Sequence, residues 1–423
     1  MGALLILTIL VFAFIGIPIA FSLGLSSLTT LLADGNLPLM VIPQKMMAGM
    51  DSFPLLAIPF FILAGELMNS GGLNKRIIRV ANSFLGNIPG SLPIVTIVAS
   101  MFFAAISGSA VATVAAIGGI TIPAMKKQGY PDHYAAGVAS SASIVGPIIP
   151  PSITLIVYGA ALQMSVNDLF LASVIPGIII GLTFIILVFI QAKKNNYPCE
   201  AKATWKERFE AIKDGFAALM MPVLVLGGIF SGIVTPTEAS VVAVVYSLLI
   251  GFFVYKNIKI NDLKRIFGEA AVSISTIMLI LATSKVLSWL VTVINLPTKI
   301  AQSILGLTDN SIFILLLINI ILLIVGCLIE ANAAILILIP VLVPLATNAG
   351  LHPVTFGVVM SVNLCLGLLT PPVGASLLLG SDIANARFEK AVISAIPFFL
   401  VGLITLLLTT YVPAITLWLP GLL

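Results

Sequence analysis

Paired prolines inside an apolar segment constrain this chain more than any other feature. Residues 146–152 read GPIIPPS, and 221 residues later residues 367–372 read GLLTPP. Each proline removes an N–H donor and clashes with the preceding turn, so a helix opens there and leaves carbonyls unbonded. Exposed backbone at membrane depth is tolerated only where it packs in protein or lines a cavity, and matched breaks in two halves point to a binding site. Two unrelated kinks are the alternative, and the flanks weigh against it. At the same offset Pro123 pairs with Pro344, Gly129 with Gly350, Ser140 with Ser361 and Gly146 with Gly367, while Pro150 and Pro151 pair with Pro371 and Pro372. Earlier in the chain the offset is 218, where Pro18 faces Pro236, Ser22 faces Ser240 and Leu63 faces Leu281. The chain therefore reads as two copies of one unit, 1–192 and 216–423.

Of 423 residues, 60% are hydrophobic and 9% charged, against about 25% charged for a soluble domain, which makes this an all-α polytopic membrane protein. A net charge of +4 is too small and scattered for nucleic acid. Cys199, Cys327 and Cys365 are odd in number and lack metal-ligand spacing, so neither a disulfide nor zinc is expected. The apolar N-terminus has no basic leader and reads as a retained helix.

Residues 2–33 are apolar and longer than one span needs, with a GIP at 16–18 that could split them. A span at 53–69 precedes Lys75, Arg76 and Arg79, which the positive-inside rule places in the cytoplasm. The run 92–124 is too long for one span and too short for two, and carries Ser107, Gly108 and Ser109 at its middle. A re-entrant hairpin with that tip fits, since basic loops flank it on both sides. The broken helix 134–162 and a span at 169–191 follow. Residues 193–214 hold six basic and four acidic residues, with Trp205, Phe209, Ile212 and Phe216 at helical spacing. This predicts an amphipathic connector on the cytoplasmic membrane surface, or else a soluble linker helix.

The second half repeats the plan. Spans at 216–233, 237–255 and 269–296 lead to a second hairpin, 311–347, with Glu330 and Asn332 near its middle. Before it lie only Lys299 and Asp309, so it should open outward, and the broken helix 355–380 runs inward to Arg387 and Lys390. The halves are then two inverted-topology repeats, the architecture of secondary transporters.

Glu330 is the sharpest single residue, because a carboxylate at a membrane hairpin tip is costly without partners or water. It could hold the tip by accepting N–H bonds, meet a cation, or accept from substrate hydroxyls; a purely structural carboxylate is the alternative. For an anion the candidates are Ser107, Ser109 and Ser152 with nearby helix N-termini. For a cation they are freed carbonyls in 143–149 and 367–370 and the Thr370 hydroxyl. Each serine or threonine taken alone is more often bonded to its own helix. Lys285 reads as a second deep charge that snorkels or pairs. His133 and His352 read as loop residues, and no phosphate-binding loop, nucleophile pair or nicotinamide fingerprint is present. Nothing in the residues points to an enzyme.

These motifs resemble the large membrane subunit of tripartite ATP-independent periplasmic (TRAP) transporters, the DctM or SiaM type, over essentially the whole chain. The resemblance rests on SGSAVAT at 107–113, IVGPIIPPS at 144–152, EANAAILILIPVLVP at 330–344 and LGLLTPPVG at 366–374. It implies a sodium-coupled elevator transporter of the bacterial inner membrane, with scaffold at 1–91 and 216–305, transport domain at 92–192 and 306–423, and a connector at 193–215. It also implies a small membrane subunit (DctQ or SiaQ type), expected as a separate chain, and a periplasmic binding protein (DctP or SiaP type). Carried over, Ser107, Ser109, Ser152 and Glu330 would line the substrate side, with Glu330 where the family often has Asp. Sodium would sit near Ser107, Ser143, Gly146 and Ile149 in one half and Gly326, Gly367 and Thr370 in the other, with no other cofactor. EANAA, in place of a DxxPA pattern associated with dicarboxylate members, inclines the resemblance to the sialic acid branch. A C4-dicarboxylate carrier, a stand-alone sodium/divalent-anion symporter and a channel subunit stay open.

Overall fold

A computed structural model describes residues 1–35, 37–199, 202–296 and 310–422. Among them the chain is helical, and seven helices are long and apolar enough to cross a bilayer. Large apolar side chains face outward, as with Leu182, Ile186 and Ile190 at helical spacing along Val166–Asn195. That surface is stable only against lipid. The protein is a multi-pass membrane protein.

The apolar N-terminal stretch is two helices, Gly2–Phe14 and Ile19–Asp34, separated at the GIP, where Gly16 has φ 90. The first helical hairpin rises as Ser91–Ser107 and turns at Gly108, whose φ of 57 suits a residue without a Cβ. It returns through Ala110–Thr113, a wider π turn at Val114–Gly118, and Gly119–Lys127. The first broken helix is Asp132–Ser143 and Ile153–Leu162, opened at the proline pair. In the second half Ser311–Gly326 and Ala331–Asn348 form the other hairpin, and Pro353–Gly367 and Ala375–Ala384 the other broken helix. The Pro150–Pro151 and Pro371–Pro372 bonds are both cis.

Packing sorts the helices into two groups. In one, Ala57–Ser70 lies on Pro236–Leu249, Leu73–Leu85 on Trp205–Phe230, and Val41–Met50 on Ile260–Val293. In the other, Asp132–Ser143 lies against Ala375–Ala384 and Phe388–Tyr411, and Ile153–Leu162 against Ala331–Asn348. Serines related by the repeat tie this second group together. Ser140 Oγ donates to the Ser376 carbonyl (2.8 Å), and Ser361 Oγ donates to the Pro147 carbonyl (3.0 Å). The groups meet where Ile260–Val293 packs on Ala331–Asn348 and where Leu73–Leu85, Ala57–Ser70 and Trp205–Phe230 pack on Ser91–Ser107.

Three expectations change. The connector 193–215 is not a separate unit, because Trp205–Phe230 is one continuous helix started by a capping box between Thr204 and Glu207. Trp205, Phe209 and Phe216 remain exposed on one face of it. The expected span 269–296 belongs to a longer helix, Ile260–Val293. Lys285 is only part-buried and follows Arg265 by 20 residues on that helix, or about 30 Å at 1.5 Å per residue; were Arg265 at one membrane surface and the helix upright, Lys285 would stand at the other. Lys299, Asp309 and the boundary at 305–306 lie outside the described residues.

Candidate functional site

Both hairpin tips and both breaks converge on one place, against the first group of helices. A cavity of about 180 Å³ is lined by Gly108 and Ser109 of one tip, 326–332 around the other, Pro147 of the first break, and Leu368, Val373 and Gly374 of the second. It adjoins a larger cavity of about 510 Å³, with which it shares Ser109, Val111, Ile153, Ile277 and Glu330. The larger one reaches Ser107 and is closed on its far wall by Phe61, Glu66 and Asn69 of Ala57–Ser70 and by Ser273, Thr276 and Ile277 of Ile260–Val293. Among the described residues, neither wall contains Lys, Arg or His.

The tips are built alike. Ser109 caps Ala110–Thr113 by accepting from the Ala112 N–H (3.4 Å). Its counterpart at offset 221, Glu330, caps Ala331–Asn348 by accepting from the Asn332 N–H (2.9 Å), the Ala333 N–H (3.2 Å) and Asn332 Nδ2 (2.7 Å). Such bonds satisfy N–H groups left over at a helix start. Holding the tip is thus the job the geometry assigns to Glu330, and its accessible edge still faces the cavity.

Beside the first tip, oxygens gather around Gly146. A carbon at its Cβ position would lie 3.0 Å from the Ser143 carbonyl oxygen, 3.0 Å from Thr113 Oγ1 and 3.1 Å from the Ser109 carbonyl oxygen. All three are neutral oxygens of the kind that a hard cation takes as ligands, and in this structure they are bonded to one another and to Gly146: Thr113 Oγ1 donates to the Ser109 carbonyl (2.7 Å), and the Ser143 carbonyl accepts from the Gly146 N–H (2.9 Å). In the other half Gly367 takes the matching place and presses on Gly326, where a Cβ would come within 2.3 Å of the Gly326 carbonyl carbon.

The remaining candidates are not all brought to the cavities. Ser107, nearly buried, contacts Thr113 Oγ1 (3.4 Å) and lines the larger cavity. Ser143 Oγ donates to the Ser140 carbonyl (2.7 Å), leaving its own carbonyl at Gly146. Ser152 is fully buried away from both cavities; it donates to the Pro147 carbonyl and caps the Leu155 N–H (3.2 Å), so it shapes the break and does not line the substrate side. Ile149 packs its side chain on Gly177, and Thr370 Oγ1 donates to the Leu366 carbonyl (3.2 Å). Thr113 and Glu66 had not been singled out. Thr113 lies one helical turn beyond Ser109 in the first tip motif, and Glu66 is a carboxylate inside an apolar span, a signal in itself.

An all-helical membrane protein with two helical hairpins and two broken helices closing on a shared cavity has the architecture of a membrane transporter. A family model described as "Tripartite ATP-independent periplasmic transporter, DctM component" matches residues 6–415, and the chain belongs to that family. Among curated relatives, the isethionate TRAP transporter permease protein DctMQ of Oleidesulfovibrio alaskensis is 43% identical over 97% of the chain, which spans 65% of that relative's length. The sialic acid TRAP transporter large permease protein SiaM of Vibrio cholerae is 38% identical over 97% of the chain and 96% of its own. Among solved structures, the YdaH transporter of Alcanivorax borkumensis superposes with a TM-score of 0.63 at 14% identity, covering 90% of this chain and 89% of that one, a likeness of fold alone.

Proposed function

We propose that the chain is the large membrane component of a sodium-coupled importer of small organic acids in the bacterial inner membrane, with N-acetylneuraminate (sialic acid) as cargo. The observation that carries this reading is the convergence of both tips and both breaks on one cavity against the other helix group. In this account the two halves are inverted-topology repeats, and the hairpins and broken helices move as one body past a scaffold, in an elevator. The broad contacts of Ala57–Ser70 with Pro236–Leu249 in one group and of Asp132–Ser143 with Ala375–Ala384 and Phe388–Tyr411 in the other support that division. The contacts of Leu73–Leu85 with Ser91–Ser107 and of Ile260–Val293 with Ala331–Asn348 are the ones that such a movement would have to remake. Sodium, co-transported with the cargo, occupies the oxygen cradle at Gly146 and a second position near Gly326, Gly367 and Thr370.

Cargo chemistry follows from the walls. With carboxylates of Glu330 and Glu66, the amide of Asn332, the hydroxyls of Ser107 and Ser109 and no basic side chain, the cavity favours a monoanion rich in hydroxyl donors over a dianion. N-acetylneuraminate meets that description. So does isethionate, a hydroxy-sulfonate, and the DctMQ relative makes it the second reading. A small membrane subunit of the DctQ or SiaQ type and a periplasmic binding protein of the DctP or SiaP type complete the assembly.

The test is uptake of labelled N-acetylneuraminate, isethionate and succinate into proteoliposomes holding this chain and its small partner, with binding protein and an inward sodium gradient each present or withheld. N-acetylneuraminate uptake that needs both supports the proposal. Uptake without any binding protein would turn it into a stand-alone symporter, succinate uptake alone would make it a dicarboxylate carrier, and sodium-independent ion current would make it a channel.

A further inference from the structure

The anionic cargo has no cation waiting for it in the main cavities, so the charges that line the path elsewhere matter. Lys285 lines a third, smaller cavity of about 160 Å³ between the same two helix groups, with Asp51, Ser52 and Leu281 on one side and Ala161, Gln163 and Leu336 on the other. Its Cβ packs on Gly49, and Asp51 is exposed and makes no ion pair with it. Glu66 lines the larger cavity beside Ser107, Ser109 and Glu330 and lies within electrostatic reach of Arg265 and Glu269. On Ile260–Val293, Glu269 and Lys285 are 16 residues apart, about 24 Å of helix rise. Glu66 and Lys285 therefore stand at opposite ends of one interface, both on the group that the proposed function treats as stationary.

We propose that these two fixed charges set different cargo affinities in the two positions of the moving site: Lys285 strengthens anion binding when the tips stand at the outer end, and Glu66 weakens it at the inner end. The assignment rests on the transport reading above. It gives direction to release without a cation on the cavity walls of the moving body, whose one carboxylate there, Glu330, travels with the site and so favours neither end. A single charge at roughly 10 Å in an interfacial dielectric changes anion affinity by about tenfold. A lysine that only snorkels to the membrane surface would show no such dependence on cargo concentration.

The experiment uses the reconstituted complex with whichever of N-acetylneuraminate, isethionate or succinate the unsubstituted protein takes up. Sodium-driven uptake by that protein reports on the function itself, so the charge effect is read only from ratios between variants. Lys285→Gln is expected to raise the half-saturating cargo concentration about tenfold with the maximal rate kept, Lys285→Arg to restore it, and the difference to shrink in high salt. Glu66→Gln is expected to tighten cargo binding to the detergent-purified, sodium-loaded complex about tenfold, and Glu66→Asp, which keeps the charge in the cavity wall, to tighten it by much less. An unchanged half-saturating concentration for Lys285→Gln, or binding no tighter for Glu66→Gln, overturns the proposal.

Discussion

At the scale of single residues, Glu330 and Gly367 separate two kinds of constraint. Glu330 is held by three donors at its own tip, so removing the side chain exposes helix-start N–H groups inside the membrane. Glu330→Ala is expected to lower stability by about 1 kcal/mol, read as an earlier thermal unfolding in detergent. Glu330→Gln keeps an acceptor and should lose less; equal losses would mean that the charge, not the cap, holds the tip. Gly367 is a matter of space. The second hairpin runs so close that any Cβ collides with the Gly326 backbone, and Gly367→Ala is expected to cost about 1–3 kcal/mol by forcing the hairpin aside. A variant as stable as the unsubstituted protein would show that this contact relaxes freely.

Among the elements, the breaks and tips were legible in the sequence because their cause is local. A proline pair opens a helix whatever surrounds it, and a glycine between serines turns a chain wherever the left-handed region is needed, as Gly108 does. Matching positions such as Ser140 and Ser361 pointed to two copies of one plan, and each proved to bond across to the other half. The connector differs because charge reports which solvent a segment meets, whereas the helix that Thr204 and Glu207 start continues from 205 to 230, through the single proline Pro222. Ser152 shows the opposite case, since its type fits a ligand while its hydroxyl is bonded within the break, next to Ile153, which lines both cavities. The charge of Glu66 within an apolar span was a readable signal, but its place at the cavity, and that of Thr113 beside Gly146, come only when helices distant in sequence close together. The buried amide pair Asn319 and Asn363, bonded at 2.9 Å and reaching Thr410, is another such case.

For the whole molecule, the account divides the chain into a body that carries the tips and a body that carries Glu66 and Lys285, with cargo and sodium bound in the first and released past the second. In the proposed elevator, coupling asks that sodium be bound by backbone and hydroxyl oxygens of one helix group alone, and Ser109, Thr113, Ser143 and Gly146 all belong to the hairpin and broken-helix group. A coupling ion that binds the cargo-ready state better shifts the protein toward it only by that difference in affinity. The most direct measurement is therefore the initial uptake rate as a function of external sodium, for the unsubstituted complex and for Gly146→Ala. The added methyl would crowd the three oxygens at 3.0–3.1 Å, so saturable sodium dependence is predicted in the first and a half-saturating sodium concentration at least about tenfold higher in the second, both read at a temperature where thermal unfolding shows each protein folded. Superimposable sodium curves, or uptake that does not depend on sodium at all, would contradict it.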